Sequence, residues 1–128
     1  MKSHLWVYAA AGYNVALAVF HLGFWRMFRW KDELPKLHPV NQGVVQVMNV
    51  MLVFFLVMLA CVQMLNAAEL TATPLGRLLM AGLTAAWVLR ATLQPIFWRK
   101  VAKGTNAAFI CLFMLGAGLH ALAFGAGR

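Results

Sequence analysis

Acidic residues are scarce in this 128-residue chain: three Asp and Glu stand against eleven Lys and Arg. Charged residues of either sign make up only 11% of it. A water-soluble domain carries roughly 25%, so this chain cannot cover a globular surface with charge. No tract is polar enough to stay disordered either.

The acids that exist, Asp32, Glu33 and Glu69, all lie outside the long apolar runs. Small four-helix exporters exchange protons for cations at a membrane-embedded carboxylate, and none is present here. Carboxylate-bridged metal sites are excluded for the same reason. So is the carboxylate pair of a glycosidase. Of the two cysteines, Cys61 falls about 25 Å and Cys111 about 9 Å above the expected cytoplasmic edge. A disulfide needs Cα atoms within about 7 Å. The pair is therefore expected to stay open, with both residues serving in packing.

What is there is apolar. Hydrophobic residues make up 63% and the mean hydropathy is +0.76. A net charge of +8 would suggest nucleic acid in a soluble protein. In so apolar a chain, basic residues instead mark the cytoplasmic edges of membrane spans. No nucleic-acid partner is expected.

A hydrocarbon core of roughly 30 Å takes about 20 apolar residues in a helix. Leu5–Trp25, Leu37–Ala68 and Gly104–Gly127 hold no charged residue, and Leu78–Trp98 holds only Arg90. The fold class expected is an all-α integral membrane protein. A single four-helix transmembrane bundle would fill residues 1–128, with spans near 5–28, 42–65, 75–97 and 105–126. Ser3, Thr73-Pro74 and Gly104-Thr105 supply helix starts, and Pro35 and Pro39 bracket the turn into the second span. Lys2 before an apolar run superficially resembles a signal peptide. That run continues far past any cleavage site, so a retained span is expected.

Arg26, Arg29, Lys31, Lys36, Arg99, Lys100 and Lys103 gather in the first and third loops, against Lys2, Arg77 and Arg128 on the other face. The positive-inside tendency then puts both termini on the non-cytoplasmic side. A bacterial inner (plasma) membrane is the expected location. Phe24–Leu37 mixes aromatic and charged residues, with Arg29 and Glu33 at i,i+4 spacing. It reads as an interfacial helix end doing ordinary anchoring. Gly12, Ala16, Gly116 and Gly118 read as close-approach positions between helices.

Counting residues along four alternating helices gathers polar side chains in the cytoplasmic leaflet. His21, Asn49 and Arg90 fall about 8–12 Å from that edge, with Gln46 and Gln94 nearer it. An embedded arginine costs about 2.5–3.5 kcal/mol at a helix centre, so Arg90 should face inward and find acceptors such as Asn49 and Gln46. Pro95 should end or kink the helix close by. These five residues form the expected ligand site, with no catalytic or metal residue assigned. A second, weaker layer comprises Asn14, Thr84 and His120.

The function expected is a non-enzymatic bundle or accessory subunit. It would bind a lipid or lipid-like ligand, anionic or carbonyl-bearing, at this layer. One alternative is a membrane-embedded enzyme acting on a lipid or isoprenoid with His21 and Arg90. A further alternative is a redox protein holding haem or quinone across a homo-oligomer interface, since His21 and His120 lie at different depths in one chain. Expected partners are membrane lipids and further copies or a larger membrane complex.

Overall fold

The computed structural model describes residues 2–126, with side chains from His4 onward. The expected Ser3 cap and the charges of Lys2 and Arg128 lie outside the described residues. All regular structure described is helical. Four long helices are present: α1 (Lys2–Leu22), α4 (Pro39–Leu65), α6 (Pro74–Phe97) and α7 (Lys103–Gly125). Between them come the short helices α2 (Phe24–Met27), α3 (Trp30–Glu33) and α5 (Ala67–Ala72), and a 3-10 turn at Leu34–Lys36.

Three of these helices are long and apolar enough to cross a membrane: His4–Leu22 within α1, α4 and α7. Transmembrane helices are therefore supported by length and composition. The 24-residue α6 is long enough but less apolar, because it carries Arg77, Arg90, Gln94 and Pro95. The sequence reading of four spans is thus met by three clear candidates and one more polar helix.

The chain divides into two compact units, Ala11–Val62 and Met1–Ala10 with Gln63–Arg128. In the first, α1 gives way at Gly23, whose N–H reaches back to the Phe20 carbonyl at 3.0 Å. Arg29 then takes a left-handed conformation with φ 50°, which costs an L-residue roughly 1–2 kcal/mol. That turn separates α2 from α3. It also redirects the expected Arg29–Glu33 pair. Arg29 bonds Asp32 at 3.1 Å, and Glu33 bonds Lys36 at 2.8 Å. Both pairs are exposed and add little stability. Pro39 opens α4 at a position where a missing N–H costs nothing.

The second unit is organised by α5, α6 and α7. Thr73 does the work expected of it: its hydroxyl accepts the Gly76 N–H at 3.0 Å and donates to the Glu69 carbonyl at 2.9 Å. One side chain therefore closes α5 and opens α6. At Gly76 a Cβ would run into the Cα of Leu70 and lie 2.5 Å from the Glu69 carbonyl oxygen. Only glycine fits there. From Thr73 the chain runs through α6, past Pro95, to Phe97.

Helices α6 and α7 pack antiparallel, as their side-chain contacts run in opposite order. Arg77 lies over Phe124, Trp87 meets Phe113 and His120, and Trp98 meets Phe109. The α7 start differs from expectation. Ala102 holds the capping position without a side-chain bond, and Gly104 and Thr105 lie inside the first turn.

Two further expectations are corrected by exposure. Gly12, Ala16 and Gly118 are exposed, and a Cβ at either glycine would meet nothing within 4 Å. Only Gly116 of that group is buried. Cys61 and Cys111 remain free, but both are exposed rather than packed.

Candidate functional site

The five residues singled out by depth resolve into separate local arrangements. Within the first unit, the Asn49 amide N–H donates to the backbone carbonyl of His21 at 3.2 Å. This ties α4 to the end of α1. The His21 ring bonds the Leu17 carbonyl through Nδ1 at 2.7 Å. A carbonyl only accepts, so Nδ1 carries the proton, and in the neutral ring Nε2 is an acceptor. Phe24 lies against the same ring at 4.4 Å between centroids. It also packs edge-on with Phe20, Phe28 and Trp30.

These residues border an open groove of about 480 Å³. Its walls are Phe24, Trp30 and Phe55 with Val45, Met48, Met51 and Leu52, and its polar residues are His21 and Asn49. The Asn49 Oδ1 is buried and has no hydrogen-bond partner among the described residues. A buried carbonyl oxygen left without a donor costs about 1–3 kcal/mol. The groove thus combines apolar walls with His21 and Asn49 as its polar lining residues. Its volume falls within the range of small-molecule sites.

Gln46 bonds within its own helix instead of joining this arrangement. Its amide donates to the Gln42 carbonyl one turn back in α4, at 3.1 Å. Sequence spacing placed it on the same helical face as Asn49, and local backbone bonding satisfies it there.

Arg90 and Gln94 form their own cluster in the second unit. The Arg90 guanidinium donates to Gln94 Oε1 at 2.7 Å and sits 4.2 Å above the Phe113 ring. Such a cation–π contact is worth roughly 0.5–2 kcal/mol. The expectation that Arg90 must seek amides on other helices overlooked these two partners. An i,i+4 glutamine and an aromatic face on α7 together supply both an acceptor and a diffuse negative field. Gln94 is fully buried, and its Nε2 makes no bond among the described residues.

The second layer holds a pair that the depth count missed. Gln63 and His120 are both fully buried, and their Nε2 atoms lie 3.0 Å apart. His120 Nδ1 donates to the Gly116 carbonyl at 2.7 Å, so Nε2 accepts from the Gln63 amide. Thr84 instead bonds its own helix at Met80, at 2.9 Å. Asn14 is also fully buried. Gln63 lies three residues after the buried Ala60 in α4, and its only sequence signal was an amide inside an otherwise apolar stretch. Comparison with protein families, with curated proteins and with solved structures finds no match to this chain.

Proposed function

We propose that this chain is a small four-span membrane protein that binds a lipid-like molecule in the groove beside His21 and Asn49. The observation that carries the reading is the buried, unpartnered Asn49 Oδ1 at an otherwise apolar groove of about 480 Å³. Asn49 Oδ1 is an acceptor. The fitting head group is a hydrogen-bond donor, and a neutral hydroxyl meets that need without the desolvation cost of a charge. An isoprenoid or other long-chain alcohol has the matching body.

This head group differs from the anionic or carbonyl-bearing one that Arg90 suggests from sequence. Arg90 already has Gln94 and Phe113 as partners, which weakens the case for a ligand at its charge. We retain it and Gln94 as a separate polar pair rather than as the ligand's primary contacts.

The four-span arrangement rests on the length of α6 and its packing on α7. A 24-residue helix extends about 36 Å, enough for a bilayer core. Basic loops on one side then put both termini on the non-cytoplasmic face of a plasma or bacterial inner membrane. The surface of α4 is largely apolar and exposed, including Val47, Met48, Val50 and Phe54. Lipid or a further copy of the chain would cover it.

Farnesol and its methyl ether distinguish this proposal from generic apolar binding, because only the alcohol can donate. Purified protein in detergent should bind farnesol roughly five- to tenfold more tightly, the worth of one hydrogen bond. Asn49→Leu should erase that preference. Equal affinity of the wild type for alcohol and ether would overturn it.

A further inference from the structure

The two basic loops carry similar numbers of cations but differ in how those cations are met. In the first, Arg29 is paired with Asp32 and Lys36 with Glu33, which leaves Arg26 and Lys31 without an ion pair among the described residues. In the turn between α6 and α7, Arg99, Lys100 and Lys103 have no ion pair among the described residues. The lone acid of that unit is Glu69, which precedes α6, whereas the turn follows it. A helix of 24 residues, about 36 Å long, separates the two positions in sequence. The charge of this turn is therefore uncompensated from within the unit.

The turn also borders an open surface groove. Ile96, Phe97, Trp98, Arg99, Lys100 and Val101 line its volume of about 450 Å³. Trp98 is held by an edge contact with Phe109, 5.1 Å between centroids. The lining thus joins two cations, an indole and three apolar side chains. The following helix, α7, is among those apolar and long enough to span a membrane. A turn directly before such a helix fits the membrane boundary, where headgroups are found.

We propose that this turn is a binding site for the phosphodiester headgroup of an anionic phospholipid. Arg99 and Lys100 neutralise the phosphate, with the guanidinium able to contact two of its oxygens. Trp98 suits the headgroup level, as indoles do at membrane interfaces. Ile96, Phe97 and Val101 meet the glycerol and the start of the acyl chains. That apolar portion favours a lipid over a free phosphate, which has nothing to place against it. The site shares no lining residue with the His21 groove and does not depend on a ligand there.

Native mass spectrometry of the full chain, released from detergent with added lipid, tests this directly. The probes are phosphatidylglycerol, phosphatidylcholine and inorganic phosphate. Wild-type protein should retain phosphatidylglycerol in clear preference to phosphatidylcholine. The double variant Arg99→Gln/Lys100→Gln should lose roughly tenfold or more in affinity for phosphatidylglycerol. A matched Arg29→Gln/Lys31→Gln variant should retain the preference. Arg99 and Lys100 are exposed, and unchanged circular dichroism would show that the double variant still folds. Undiminished preference in that variant overturns the site. Displacement of the lipid by inorganic phosphate would instead assign it to a free anion and overturn the lipid identity.

Discussion

His21 and His120 begin from the same local geometry and reach different ends. Each donates through Nδ1 to the carbonyl four residues earlier, at 2.7 Å in both cases. The bond fixes the ring against its own helix and leaves Nε2 an acceptor in the neutral form. At His120 that acceptor meets the Gln63 amide at 3.0 Å, and both residues are fully buried. At His21 the ring is partly exposed, lies against Phe24 and borders a groove. One histidine closes a polar pair inside a packed unit. The other contributes a polar edge to an open site. Residue type and backbone bonding therefore decide little about function, and what faces the second ring nitrogen decides more.

The comparison can be broken most forcefully at His120. His120→Ala should cost about 2–4 kcal/mol, combining a cavity with a buried Gln63 amide left without its acceptor. Thermal unfolding in detergent should show the loss; a change under about 0.5 kcal/mol would mean that the pair is dispensable. Gln63→Leu tests the same bond from its other side. A double-mutant cycle with His120→Ala should return a coupling of about 0.5–1.5 kcal/mol, the span seen for hydrogen bonds between membrane helices. Additivity would place the cost in packing alone. The smallest effect belongs to His21. His21→Phe keeps the ring, so it should shift stability by less than about 1 kcal/mol while weakening farnesol binding in the same assay. A large loss of stability there would make the two histidines alike.

Sequence periodicity and punctuation made the long helices legible, because apolar length and Pro or Thr starts act locally. Thr73-Pro74 needed no tertiary information, and its cap is present at 3.0 Å. The short helix α5 was not legible, since Ala67 and Ala68 continue the apolar run of α4 and the break between the two helices comes only at Asn66. Depth counting correctly brought His21 and Asn49 together, but through a backbone carbonyl rather than a ring nitrogen. It could not assign Arg90, because depth says nothing of which way a helix is rotated. Rotation put Phe113 under the guanidinium and Gln94 beside it. Gln63 escaped for a related reason: glutamine has enough reach to meet a histidine at a different nominal height. Exposed Cys61 and Cys111 show the same limit, as composition alone does not reveal which face of an apolar helix points outward.

The corner at Gly76 has a consequence for how the chain tolerates change. Most tight spots in a protein are bounded by side chains, which can swing aside and share out the displacement. Here the obstacles are the Cα and carbonyl carbon of Leu70 and the carbonyl oxygen of Glu69, none of which has a rotamer to change. Thr73 pins the same corner from its other side. A library randomised at position 76 and selected for folded protein should therefore return glycine almost alone, even though a Cβ at Gly12, Gly43 or Gly82 would meet nothing within 4 Å. Alanine adds one carbon, and at this corner that carbon has nowhere to go.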